Sequence, residues 1–231
     1  MKPFTFINVA VTADGKMDTY ERHGAAISSA ADKVRVDQLR AEADAVMVGG
    51  KTLLDEDPKL TVKSEALRAE RVARGLTPNP IKVGIVTNAD HLPDLNFLNF
   101  GSARVVIFTT DQTSKAQVEF LRSRGVEVYV HHMPRVDLEK ALQTLHELGI
   151  KRLMVEGGGT LNFELLRLGL VDEMTMYVAP MIFGGASAPT LAAGSGAARS
   201  EAIPLKLVAS EIHEDGGVVL KYSLEARNTS L

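Results

Sequence analysis

The sequence predicts an α/β fold with a mostly parallel central sheet, helices on both faces and an antiparallel hairpin at the C-terminal edge. Three observations predict it. Short apolar runs rich in Val and Ile alternate with helical patterns from residue 4 to about residue 178. Most of these runs are apolar throughout rather than alternating, as strands covered on both faces are. Two consecutive strand patterns joined by turn residues then close the chain. At 231 residues, 45% of them hydrophobic, the chain can bury a sizeable core, and it is expected to form one domain over 1–231.

The elements follow in order. Residues 4–11 are a continuous apolar run with β-branched residues, running into the turn Thr12-Ala13-Asp14-Gly15-Lys16. Ser28 or Ser29 can cap a helix to about Ala43, with Val34, Val36 and Leu39 as its apolar side chains and Arg40 near its end, where a cation compensates the helix dipole. Residues 45–48 are a short buried strand that ends at Gly49-Gly50-Lys51-Thr52. Asp55-Glu56-Asp57-Pro58 reads as an acidic, solvated turn. Residues 64–80 form a polar excursion with one or two helical turns, closed by a Pro-x-Pro that forces an extended entry to the next strand. Residues 81–86 and 104–108 are strands ending at Thr87 and Thr109. Helices follow at 114–124 and from an Asp137 cap to Gly149, around a strand at 126–130, with His131 and His132 in a surface loop. Residues 173–178 form the next strand. Residues 184–204 are rich in Gly, Ala, Ser and Pro and read as a mobile loop. Residues 205–212 and 218–224 make the hairpin.

The chain is organised around residues 152–166, RLMVEGGGTLNFELL. A buried strand ends at Glu156, three glycines follow, and a helix opens at Thr160. Glycines let a backbone approach a ligand closely, and the free N–H groups of a first helical turn attract a diphosphate. The spacing is not GxGxxG, and the bland alternative is a tight strand-to-helix turn. In a parallel sheet the strand ends at Thr12, Gly49–Thr52, Thr87, Thr109 and Glu156–Thr160 are expected to share one rim, where open α/β folds bind ligands. Asp14 has two readings: closure of an Asx turn, or a second acidic group in the site.

Composition excludes several classes. The net charge of −3 gives no footprint for nucleic acid. No apolar run approaches the ~18 residues of a membrane span, and no signal peptide precedes the first strand. With no cysteine, disulfides, thiolate zinc sites and thiol nucleophiles are absent. The histidines, His23, His91, His131, His132, His146 and His213, form no zinc-hydrolase or zinc-deaminase pattern, so no metal is expected. No P-loop and no GxSxG elbow occurs.

Several segments, in one order and over nearly the whole chain, resemble the riboflavin-pathway pyrimidine reductases of the dihydrofolate reductase-like fold. They are Thr12-Ala-Asp-Gly-Lys16; Arg40 with Val46-Met-Val-Gly49; Lys51-Thr-Leu-Leu-Asp-Glu-Asp-Pro-Lys-Leu-Thr61; Val155-Glu-Gly-Gly-Gly-Thr-Leu-Asn162; and Val171-Asp-Glu173 through Gly185. The resemblance implies a stand-alone, archaeal or fungal type of reductase that acts before deamination. Its substrate would be 2,5-diamino-6-ribosylamino-4(3H)-pyrimidinone 5′-phosphate, with NADPH as hydride donor, in a cytoplasmic homodimer.

By the same resemblance Val11, Thr12, Thr52, Glu56, Thr87, Gly157, Gly158, Gly159, Thr160, Leu161 and Asn162 would hold the cofactor. Asn8, Arg40, Leu60, Lys63 and Glu156 would hold the substrate, with Arg40 and Lys63 on its phosphate. Glu156, and second to it Asp14, are the catalytic candidates. Glu56 and Lys63 depart from the more frequent Asp and Arg, and His23-Gly-Ala-Ala26 lacks the polar and aromatic residues of bacterial relatives. Two alternatives share these features: a reductase of a pterin or another imine, and a nucleotide-binding module without catalysis.

Overall fold

Parallel strands separated by helices, then an antiparallel return, are what the computed structural model shows. It describes residues 1–90, 92 and 95–224; His91 lies outside them. In chain order the elements are β1 (Phe4–Thr12), α1 (Ala30–Glu42), β2 (Ala45–Gly49), α2 (Gly50–Glu56), α3 (Glu65–Ala73), β3 (Ile81–Ile85), α4 (Asn96–Asn99), β4 (Val105–Thr110), α5 (Lys115–Ser123), β5 (Glu127–His131), α6 (Leu138–Glu147), β6 (Arg152–Val155), α7 (Gly159–Arg167), β7 (Glu173–Ala179), β8 (Lys206–Ile212) and β9 (Val218–Ser223), with a short 3-10 turn at Arg199–Glu201. The chain divides into two compact units, Met1–Pro3 with Val36–Met154, and Phe4–Arg35 with Val155–Leu231.

In the first unit the strand order is β5-β4-β3-β2-β6. The ladders β2–β3, β3–β4 and β4–β5 are all parallel. All five residues of β2 and all six of β4 are buried, which explains why their sequences are apolar without alternation. Helices α5 and α6 start at Ser114 and Asp137, whose side chains accept from Gln117 N and Lys140 N, and α6 buries Leu138, Ala141, Leu142 and Leu145 on one face.

Three charged residues in this unit, Asp57, Lys82 and Arg71, have structural tasks. Asp57 is not in a solvated turn: its carboxylate accepts from Asn96 N at 2.9 Å, Phe97 N at 2.9 Å and Asn96 Nδ2 at 2.6 Å, and so caps α4, an element the sequence pattern does not announce. Burial raises the Asp57 pKa, but these hydrogen bonds outweigh it and hold the group below its ordinary value. Lys82, fully buried in β3, closes the other end of α4 by donating to the carbonyls of Asn96, Phe97 and Phe100.

The excursion at 64–80 is tied down as well. Its helix α3 carries Arg71, 1% exposed, which donates to the carbonyls of Arg40, Ala41, Ala43 and Thr77. Arg74 also reaches Ala41 O, at 2.6 Å. The C-terminal carbonyls of α1 are thus met by Arg71 and Arg74.

In the second unit the order is β1-β7-β9-β8; β1 and β7 run parallel, and β7–β9 and β8–β9 antiparallel. The expected hairpin is present, with a bulge between Leu207 and Ala209. α1 starts as expected, Ser29 Oγ accepting from Asp32 N at 3.1 Å. Its larger apolar side chains are not the ones it buries. Val34 is 60% exposed, Val36 and Leu39 are half-buried, and the fully covered side chains are Asp32, Asp37 and Ala41.

Candidate active site

The second unit assembles the glycine turn. β6 ends at Val155, and Glu156 follows half-buried at the strand's end. Gly157 then takes φ +98°, a left-handed conformation open to glycine, and the Gly157–Gly158 peptide bond is cis. Gly158 is the N-cap of α7 and brings no side chain to cap it. The dipole and first-turn N–H groups of α7 therefore start from an N-cap with no side chain of its own. Beneath the turn, Asn162 is fully buried. Its Nδ2 donates to Leu191 O at 3.0 Å, while its Oδ1 has no hydrogen-bond partner among the described residues. An orphaned buried oxygen under a glycine turn fits a site that a ligand completes.

Thr12, at the end of β1, is buried. Its hydroxyl donates to Asp14 Oδ1 at 2.5 Å and accepts from Lys16 N at 3.0 Å. Asp14 also takes Phe183 N at 3.2 Å and Gly184 N at 2.7 Å. The Thr12 hydroxyl, with these backbone donors, holds the exposed Asp14 carboxyl below its ordinary pKa. That geometry makes Asp14 a tether for the loop after β7.

The loop expected to be mobile is fixed at several points. Ala13 N donates to Met181 O at 2.9 Å, Met17 N to Pro189 O at 2.8 Å and Ala193 N to Gly159 O at 3.1 Å, and Lys16 bridges Thr190. Residues 181–193 thus lie against the β1 turn and the start of α7.

Asn8, on β1, is 5% exposed, and its Oδ1 accepts from Arg35 Nη1 at 2.8 Å. Arg35 in turn grips Asp32 Oδ1 through Nε and Nη2, at 2.9 and 2.6 Å. Asn8 is therefore held inside a buried polar network. Sequence reasoning missed Asp32 and Arg35; their i,i+3 spacing on α1 was the available signal.

In the first unit, Gly49 passes directly into α2, which carries Thr52, half-buried, and Glu56, exposed at its last position. Leu60 is buried with φ +48°. Arg40 Nη1 donates to Thr61 O at 3.2 Å. Lys63 is exposed, and its backbone N–H donates to Asp37 Oδ1 at 2.7 Å. Arg68 reaches the carbonyls of Val62 and Lys63 at 2.8 and 2.7 Å. Arg40, Lys63 and Arg68 therefore border one segment, 61–64, at the start of α3, with Asp37 as the opposing charge. Thr87 ends the β3 segment, and its carbonyl accepts from Thr109 Oγ1 at 3.3 Å and Thr110 Oγ1 at 2.8 Å. His131 is not a free surface histidine: its Nδ1 accepts from Asp137 N at 3.1 Å, and burial lowers its pKa.

Comparison with known proteins shows the family and the fold. Residues 3–220 match the RibD C-terminal domain. The 2,5-diamino-6-ribosylamino-4(3H)-pyrimidinone 5′-phosphate reductase of Methanothermobacter thermautotrophicus is 40% identical over 97% of this chain and 100% of its own. The protein of the same name from Archaeoglobus fulgidus is 40% identical over 84% of this chain and 88% of its own. Among solved structures, a pyrimidine reductase-like protein from Corynebacterium diphtheriae superposes with a TM-score of 0.79 at 21% identity, over 96% of this chain and 92% of its own, which shows the shared fold. The chain belongs to the RibD C-terminal domain family.

Proposed function

We propose that this chain, acting over 1–231 as one reductase domain, is an NADPH-dependent oxidoreductase of riboflavin biosynthesis. It reduces the ribosyl side chain of 2,5-diamino-6-ribosylamino-4(3H)-pyrimidinone 5′-phosphate to ribityl. The observation that carries this reading is a half-buried carboxylate, Glu156, at a strand end that runs straight into an uncapped glycine turn, in a chain 40% identical to reductases so named.

The residues fit a dinucleotide. In this reading the Gly157–Asn162 turn and the first turn of α7 take the diphosphate, with Val11, Thr12, Thr52, Glu56 and Thr87 as further cofactor contacts. Bound reduced nicotinamide supplies a hydride. The substrate's ring C1′–O4′ bond opens to a C1′=N imine as the amine nitrogen gives up its proton and O4′ gains one; hydride then adds at C1′ and the nitrogen takes up a proton, for a net gain of one hydride and one proton. Glu156 orients the ribosylamine so that C1′ faces the hydride, and it can relay a proton through water. Arg40 and Lys63 hold the 5′-phosphate, Arg40 through a planar fork and Lys63 as a point charge. Leu60 borders the substrate. Asn8 acts indirectly, by fixing Arg35.

No described helix is long and apolar enough to cross a membrane, and the proposed setting is a cytoplasmic homodimer. The test is turnover of the diamino substrate and of its deaminated analogue, each with NADPH and with NADH. Fast oxidation of NADPH with the diamino substrate, and slower oxidation in the other three mixtures, is expected. No turnover despite saturable NADPH binding would refute the substrate assignment.

A further inference from the structure

Residues 61–64 lie in neither a helix nor a strand, yet side chains hold their backbone group by group. Thr61 O accepts from Arg40 Nη1 at 3.2 Å, and Val62 N donates to Asn79 Oδ1 at 3.1 Å. Arg68 Nη1 donates to Val62 O and Lys63 O, at 2.8 and 2.7 Å. Asp37, from α1, takes the next two N–H groups with one carboxylate. Its Oδ1 accepts from Lys63 N at 2.7 Å and its Oδ2 from Ser64 N at 2.8 Å. Asp37 is only 7% exposed. These side chains do here what a neighbouring strand does elsewhere. The segment is entered from Leu60, whose φ of +48° is a left-handed conformation that branched side chains rarely adopt.

On charge alone, Asp37 is badly placed beside an anion site. Ser64 is the N-cap of α3, so the N–H groups of Lys63 and Ser64 stand just ahead of a helix, where an anion is otherwise welcome. Asp37 already fills both. Its carboxylate also repels a phosphate held nearby. What it supplies instead is position. Two N–H groups on one buried carboxylate, and two carbonyls on one guanidinium, fix the peptides on either side of Lys63. The direction in which the Lys63 side chain leaves the backbone is then set, while the side chain itself stays exposed. A lysine has a long, freely rotating stem, so it gains from a fixed root when it must hold one charge in one place.

We propose that Asp37 is a positioning residue for the substrate's 5′-phosphate, acting through Lys63, with Arg68 holding the same peptides by their carbonyls. The inference rests on the assignment of Lys63 to the phosphate made above. It differs in sign from simple electrostatics. If Asp37 were only an opposing charge, its removal would tighten the hold on the phosphate. If it positions Lys63, its removal loosens that hold, because the ammonium is no longer delivered to the phosphate oxygens.

The test is binding of the substrate and of its dephosphorylated riboside, by calorimetry, with NADPH turnover measured alongside. The ratio of the two affinities reports the phosphate alone, whereas a general loss of structure lowers both together. Asp37→Asn is expected to lower the ratio roughly tenfold, the scale of a misplaced contact, with NADPH affinity unchanged. Arg68→Met, which leaves Asp37 in place, is expected to lower it in the same direction. On a Lys63→Ala background Asp37→Asn should have no further effect on the ratio, since groups that work as one unit are not additive. A ratio raised or unchanged by Asp37→Asn, a ratio unchanged by Arg68→Met, or the full loss repeated on Lys63→Ala would overturn the proposal. Phosphate-selective binding that depends on Asp37, without turnover, would refute the functional reading alone. Turnover by a chain whose selectivity ignores Asp37 would refute this inference alone.

Discussion

The carbonyl oxygen of Thr190 occupies the place where a side-chain carbon on Gly159 would stand, so residue 159 can only be glycine while the loop keeps its position. Ala193 Cβ would be the next neighbour, at 3.2 Å. Gly159→Ala must therefore push residues 190–193 away from the start of α7. The expected result is a loss of about 1–3 kcal/mol in stability and an NADPH Kd raised roughly tenfold, about 1.4 kcal/mol. Urea unfolding and fluorescence titration check the two effects.

Asp14 and Glu156 are both carboxylates near the ends of buried strands, and their surroundings separate them. Asp14 is occupied by Thr12, Phe183 and Gly184, and its pKa lies below the ordinary carboxylate range. It therefore stays ionised throughout the neutral range, and its loop contacts are lost only as pH falls through its lowered value. Asp14→Asn is expected to loosen the loop while leaving kcat well above the roughly hundredfold loss that follows removal of a general acid or base. Glu156→Gln is expected to reach or exceed that loss with NADPH affinity changed only a few-fold. Steady-state kinetics across pH distinguish the pair.

Lys63→Ala is expected to raise the substrate KM with little change in NADPH affinity, because Lys63 is exposed and its backbone, through N–H to Asp37 and C=O from Arg68, makes its described hydrogen bonds. If Lys63 holds the phosphate, the increase should shrink in high salt. KM values at low and high ionic strength provide the check.

Burial pushes Lys82 from its ordinary 10.5 to about 8. Below about 8 the amine is charged in both folded and unfolded chains, and the burial penalty is present in full. Between about 8 and 10.5 the unfolded chain still binds the proton that the folded chain has released, so stability rises with pH across this window. The rise is expected to reach at most about 3 kcal/mol, because the carbonyls of Asn96, Phe97 and Phe100 favour the charged form. Urea midpoints at pH 7.5 and 10 should show it in the wild type and not in Lys82→Met, which loses stability at both.

The strands and the longer helices were legible because their physics is local. The apolar run of β4, the Asp137 cap of α6 and the turn chemistry of the hairpin each announce themselves over a few residues. The glycine turn was legible for the same reason. What the sequence hid depends on distant partners. Nothing near Asp57 says that it caps a helix some forty residues on, and nothing near Arg71 says that it closes the end of α1. The Gly, Ala and Ser composition of 184–204 suggested mobility, yet its backbone is held by Met17, Gly159 and Asn162. The exposure of Val34 was hidden for the same reason: α1 covers Asp32 and Asp37, which spend their charge on Arg35 and on the backbone of Lys63 and Ser64.

The most direct test of the central claim follows the hydride. The chain is incubated with the ribosylamino-pyrimidinone phosphate and NADPH carrying deuterium at nicotinamide C4, and the product is examined by mass spectrometry and proton NMR. One deuterium at C1′ of a ribityl chain, with the transfer abolished in step with turnover in Glu156→Gln, is the predicted result. Deuterium anywhere else, or an intact ribosyl group after NADPH has been consumed, would contradict it.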